Sequence, residues 1–291
     1  MDRNLLLIGG PDTGKTNYLA RFWLALTAGQ GDLEIFQVPQ NIVYVEQAVS
    51  HLLQGEFAPH TSRDAGRNDF DGVVVLRAGP DPGAQAHLVK PDIYGEMWSN
   101  AVQTHQIDEN WMGLMRSCGA ALLFVRAMSP LNTDPLDWVT AAHLLSAGLR
   151  NSGPARVLPT QMVLCELLTF LRDTLKSEKA EAPPRIAVVV TAWDLLDAED
   201  RASGPRAYIE REFPMMAGEI AFSEDLDIRV FGSSIVGGDL QDDEEFKARY
   251  RAGRPTQFGY VIFEQSGRVV ESPDIALPVS WALRCNSTSL D

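Results

Sequence analysis

The chain has 291 residues, 45% hydrophobic and 22% charged, which suits one enlarged α/β domain or one domain with a small appendage. Its 25 basic and 39 acidic residues give a formal charge of -14, a field that repels nucleic acid and anionic membrane surfaces. Cys118, Cys165 and Cys285 form no CxxC pair, and no signal peptide or run of roughly 20 apolar residues is visible, so a cytoplasmic protein with reduced thiols and no membrane span is expected.

In chain order, residues 5–8 (LLLI) are an apolar run ending at Gly9-Gly10, the pattern of a buried parallel strand. Tyr18, Leu19, Phe22, Trp23 and Leu26 recur at helical spacing, and Gly29 stands where that helix should stop. A second helix is expected near 44–53, followed by an aperiodic loop over 55–70. Residues 73–78 and 84–88 read as a hairpin around the turn 79–83, its return strand ending at Pro91-Asp92. A helix near 108–117 and a strand at 120–125 follow. Residues 127–157 read as an insertion with a short helix near 138–149. A helical stripe over 162–175, strands at 185–190 and 227–231, a hairpin of 260–263 with 268–270, and a short helix through Trp281 complete the chain. Such alternation predicts an α/β fold with helices on both faces of a sheet, made mixed by the early hairpin. The predicted organisation is one domain over 1–255, with insertions at about 30–70 and 127–157, and a C-terminal hairpin and helix over 256–291 packed on it.

Residues 9–16, GGPDTGKT, match G-x-x-x-x-G-K-[ST] in full, between an apolar strand and an amphipathic helix. Glycines let successive N–H groups face one phosphate, and the helix that follows adds its positive end. The candidate phosphate-side residues are Gly9, Asp12, Thr13, Gly14, Lys15, Thr16 and Asn17. Lys15 reaches toward the β- and γ-phosphates and doubles as a catalytic candidate, and the Thr16 hydroxyl is a Mg²⁺ ligand candidate. Pro11 has no N–H to donate, and the negative charge of Asp12 has no explanation at this level.

Further signals separate the classes of phosphate-loop protein. The strands at 120–125 and 186–190 lack the terminal acid expected of a Walker-type ATPase. Asp92-Ile93-Tyr94-Gly95 is instead a D-x-x-G after the return strand, where Asp92 would hold Mg²⁺ through water and Gly95 would turn its N–H to the γ-phosphate. Glu96 follows; as a carboxylate it either activates water or repels the γ-phosphate and slows hydrolysis. Thr191-Ala192-Trp193-Asp194 is similar to [NT]-K-x-D, in which the carboxylate accepts two hydrogen bonds from guanine N1–H and its amine. Ala192 departs from that pattern where a Lys would cover the ring. Ser233 and Ser234, after the strand, stand where a loop would donate to the guanine carbonyl. Thr61 is the candidate Mg²⁺ ligand of the first switch, with Ser62 as its competitor, and Arg63, Arg67 and Arg126 are candidate charge stabilisers.

Together these residues resemble the TRAFAC-type GTPases, with a Ras-like P-loop nucleotide triphosphatase fold, and more narrowly the bacterial double-GTPase family. The narrower resemblance rests on GPDTGKT after LLLIG, LLQGEFAPHT, PDIYGEMW, VVVTAWD and the tail GYVIF…IALPVSWAL, so it covers nearly the whole chain. The intervals from Lys15 to Asp92 and from Asp92 to Asp194 exceed those of a minimal Ras-like protein and imply insertions. The resemblance implies a regulatory GTPase that binds GTP or GDP with Mg²⁺, hydrolyses GTP slowly, and partners a protein such as a second GTPase in a signalling or conflict system. Two other readings stay open: a non-catalytic, nucleotide-bound assembly module, and a P-loop ATPase or kinase.

Overall fold

Four consecutive apolar residues, Leu5 to Ile8, are buried on both faces in β1 (Arg3–Gly9), an inner strand of a nine-stranded sheet. The computed structural model describes residues 3–38, 42–59, 74–78, 85–89, 101–102, 104, 106–107, 109–135, 158–175 and 183–283. Within them the other strands are β2 (Leu33–Gln37), β3 (Val74–Ala78), β4 (Gln85–Val89), β5 (Ala120–Arg126), β6 (Arg185–Thr191), β7 (Asp227–Ser234), β8 (Tyr260–Gln265) and β9 (Arg268–Ser272). Their spatial order is β2-β3-β4-β1-β5-β6-β7-β8-β9. The inner strands β4, β1, β5, β6 and β7 run parallel. The β3–β4 hairpin and β2 form one antiparallel flank, and β8 and β9 the other.

Alternation along each parallel strand divides the core. Leu5, Leu7, Leu122, Phe124, Val189 and Phe231 face one layer, built from α1 (Lys15–Thr27) and α9 (Leu277–Ala282). Leu6, Ile8, Leu123, Val188 and Val190 face the other. That second layer holds α3 (Glu109–Arg116), α4 (Thr160–Thr174), α6 (Pro205–Glu212) and α7 (Pro214–Phe222). A smaller cluster joins α1 to α2 (Val43–Leu53) and α8 (Glu244–Ala252) through Ala20, Leu52, Phe246 and Tyr250.

The C-terminal segment is part of this core. Tyr18 of α1 donates its hydroxyl to the Ile275 carbonyl at 2.9 Å. The fully buried Arg21 donates to the Phe258 carbonyl at 2.8 Å, and burial lowers its pKa. Trp281 packs edge-on against Phe231, and Arg185 lies 4.8 Å from its ring centroid while donating to its carbonyl.

Several elements depart from the sequence expectations. β2 lies inside the segment read as an insertion over 30–70, because its partner β3 supplies the ladder that its sequence alone does not reveal. β7 continues to Ser234, beyond the expected end at residue 231, since Ser233 and Ser234 pair with Val261 and Tyr260 of β8. Between residues 198 and 222, where no helix is expected, stand α5 (Ala198–Ser203), α6 and α7. The expected turn at 79–83 and helix at 138–149 lie outside the described residues.

Candidate nucleotide site

After β1 the chain turns through residues 10–14 and enters α1 at Lys15. Gly14, with φ 79°, occupies the left-handed region at the N-cap, and Asp12 does so as a non-glycine with φ 56°. A Cβ on Gly14 would also lie 3.4 Å from the Thr191 hydroxyl. The first turn of α1 has no side-chain cap and no acidic residue, so its positive end is left to the loop. Lys15 folds back over that loop: Nζ donates to the carbonyls of Gly9 at 2.7 Å and Gly10 at 2.6 Å, and to Thr13 Oγ1 at 3.1 Å. Thr13 Oγ1 in turn donates to Gly10 O at 2.9 Å. The curl expected of a phosphate-binding loop is thus closed around an ammonium group.

Pairing between strands brings other candidates to the same edge of the sheet. Gly9 is in register with Phe124, Arg126 with Thr191, and Thr191 with Ser233, so β1, β5, β6 and β7 end together at their carboxyl side. In open α/β sheets ligands bind in the crevice at that side. Thr191 Oγ1 donates to the Thr13 carbonyl at 2.9 Å, fastening the loop to β6. Arg126, the last residue of β5, forms an ion pair with Asp12 through Nη1, which accounts for the acidic residue in the loop. Asn17 is differently engaged: its side-chain oxygen accepts from the Ala58 N–H at 2.9 Å, tying α1 to the segment after α2.

Beyond Thr191, Ala192 takes a left-handed φ of 54°, and a single 3₁₀ turn, Trp193–Leu195, carries Asp194. Trp193 is fully buried, edge-on to Tyr208 with ring centroids 5.7 Å apart. Its ring rests on Gly232 so closely that a Cβ there would lie 2.5 Å from a ring carbon. Asp194 is half-buried. Burial pushes its carboxyl above the usual range, a hydrogen bond from Ser234 pulls it down, Asp239 raises it and Arg201 lowers it. The Ser234 hydroxyl also accepts from Gly237 N–H at 2.8 Å. Tyr260 completes the group: burial and the Asp194 charge raise its pKa, and a hydrogen bond with Arg201 lowers it.

Ser233 and Ser234 were expected in a loop and are instead the last residues of β7. Ser233 is fully buried, its hydroxyl without a hydrogen-bond partner. Arg201 and Tyr260 were missed by the sequence reading. They come from α5 and β8, distant in sequence from Asp194, and no local pattern marks them. Thr61, Asp92, Gly95 and Glu96 lie outside the described residues. Among the described residues no group of three His, Cys, Asp or Glu could hold a metal ion. Thr16 carries its hydroxyl on the first turn of α1.

Among solved structures, the chain is similar to a bacterial selenocysteine-specific elongation factor, EF-Sec, at 12% identity and a TM-score of 0.35. That match covers 80% of this chain, which spans only 26% of the elongation factor chain. A signal recognition particle receptor SRb-GTP/SRX complex from Chaetomium thermophilum matches at 12% identity and a TM-score of 0.36, covering 85% of this chain and 97% of that one. The G domain of the T. maritima FeoB iron transporter matches at 11% and 0.31, covering 86% and 99%. No curated protein matches the chain. A family model described as Double-GTPase 1 matches residues 6–282.

Proposed function

The chain belongs to the Double-GTPase 1 family, and we propose on that premise that it is a guanine-nucleotide switch whose phosphates lie on residues 9–16 and whose base lies beside Asp194. The observation that carries the reading is the strand register. It sets the Lys15 loop and the Asp194 turn at one edge of the sheet, linked through the Thr191–Thr13 bond. Lys15, Gly14 and the open end of α1 would hold the phosphates, and the Asp194 carboxylate would accept guanine N1–H and the exocyclic amine. The hydrogen bond from Ser234 would orient that carboxylate.

Mg²⁺, held by Thr16 with Thr61 and Asp92, would neutralise charge on the β- and γ-phosphates. In hydrolysis a water oxygen bonds to the γ-phosphorus as the bridging bond to the β-phosphate breaks, and GDP leaves with the electron pair. Lys15 and the Gly95 N–H would stabilise the spreading charge, and Glu96 would orient or deprotonate the water. Repulsion between the Glu96 carboxylate and the γ-phosphate would instead slow intrinsic turnover and leave room for a protein partner, such as a second GTPase, to complete the site.

Titration calorimetry with GTP, GDP and ATP in the presence of Mg²⁺ tests the site and the base together. GTP and GDP should bind at least about tenfold more tightly than ATP, the difference expected from one charge-assisted hydrogen bond. Equal affinity for ATP would remove the guanine reading. A second reading, a non-catalytic module that keeps nucleotide as structure, is favoured by Ala192, whose short side chain lacks the reach to cover a base. Phosphate release over the course of a day from GTP-loaded protein decides against it.

A further inference from the structure

Asp12 is a carboxylate inside a loop that, on the function proposed above, holds polyphosphate. Lys15 contributes one positive charge to that loop and Asp12 one negative, so the two alone leave it electrically neutral. We propose that Arg126 is a positioning residue that neutralises Asp12 and so sets the charge the loop presents to nucleotide; the inference rests on the nucleotide-site reading. Three features fix the pair. Arg126 ends β5 two residues beyond Phe124, which is in register with Gly9, so the β1–β5 ladder delivers the guanidinium to the loop. The left-handed backbone of Asp12 sets where its carboxylate starts. Thr191, the register partner of Arg126, also holds the carbonyl of Thr13, the residue after Asp12, so the loop is tied to the same strand end beside the pair. Arg126 and Asp12 side chains are 31% and 19% exposed, and a partly buried pair is screened less by salt than a surface one.

The role predicts opposite signs for the two partners. Removing Arg126 takes away the ion pair that offsets the Asp12 charge in the loop. Removing the Asp12 charge leaves a free guanidinium there.

The test is GDP affinity by calorimetry, with Mg²⁺, for the wild type, Arg126→Ala, Asp12→Asn and the double variant at low and high NaCl. Arg126→Ala should weaken GDP about tenfold or more, the effect of one unit of charge interaction at this range. Asp12→Asn should bind as tightly as the wild type or more tightly. The double variant should return to within about threefold of the wild type, the size of a typical error in additivity. The Arg126→Ala deficit should shrink as NaCl rises.

Wild-type affinity in Arg126→Ala overturns the proposal, and so does weakened binding in Asp12→Asn, which keeps the test alive should Arg126→Ala fail to fold. A double variant no tighter than Arg126→Ala also overturns it, by assigning Arg126 a direct contact with phosphate. Absence of GDP binding by the wild type overturns the nucleotide site as well, whereas wild-type binding without this coupling overturns the charge-compensation role alone.

Discussion

Gly232→Ala tests whether the Asp194 turn is held by packing from beneath. Gly232 lies one residue before Ser233 on β7, under the indole of Trp193. A methyl group there would sit 2.5, 2.8 and 2.9 Å from three ring atoms. Carbon atoms rest about 3.5–4.0 Å apart, so the ring must retreat by roughly 1 Å. Trp193 is fully buried with Tyr208 edge-on behind it, which leaves the ring no open side. Overpacking of this kind costs about 1–3 kcal/mol. In a protein of this size that lowers the melting temperature by about 2–12 °C, read by calorimetry or circular dichroism. Because Trp193 immediately precedes Asp194, the same displacement should reduce the preference for GTP over ATP in a competition titration. An unchanged melting temperature together with unchanged base preference would show that the turn does not depend on this contact.

Four further outcomes follow from the structure. Asp194→Asn should lose guanine and gain xanthine by about a hundredfold, as expected when charge-assisted bonds to the base are exchanged; base competition that leaves guanine preferred removes Asp194 from the site. That variant also has a stability sign. Burial raises the Asp194 pKa in the folded chain, so its contribution is fully present below the ordinary carboxylate range and is lost as pH rises through the raised value. At neutral pH the nucleotide-free Asp194→Asn protein should therefore melt higher than the wild type, and a lower melting temperature contradicts the assignment. Thr191→Val keeps the shape but loses the bond to the Thr13 carbonyl, so GDP should bind about 2–10-fold more weakly, and equal affinity would show the tie to be idle. Burial pushes the Cys118 thiol up to about 12 and the Cys165 thiol to about 11. At pH 8 both should alkylate far more slowly in native than in unfolded protein, as mass spectrometry would record.

The parts of the fold that were legible in the sequence are those whose pattern is complete within one segment. Leu5 to Ile8, Ala120 to Val125 and Ile186 to Val190 are buried on both faces and therefore read as unbroken apolar runs. The α1 and α4 stripes repeat over several turns. β2 was not legible, because a five-residue edge strand is defined by the ladder on β3 rather than by its own composition. The helices α6 and α7 begin at Pro205 and Pro214, residues that read as breaks yet suit the first turn of a helix, whose N–H groups have no partner within the helix. At the site, Lys15, Thr191 and Asp194 carry local motifs. The Arg126–Asp12 pair and the Arg201–Tyr260–Asp194 group depend on strand order, which no local spacing encodes.

The bond from Tyr18 to Ile275 joins residues 257 positions apart. The buried face of α1, the helix that follows the loop, is therefore held in part by a residue made 257 positions later. At about 5–20 residues per second, α1 waits roughly 13–51 s on the ribosome before Ile275 exists. During that interval the Tyr18 hydroxyl is without its carbonyl partner. A nascent chain stalled before residue 258 should accordingly be protease-sensitive in α1 whether or not GTP is present.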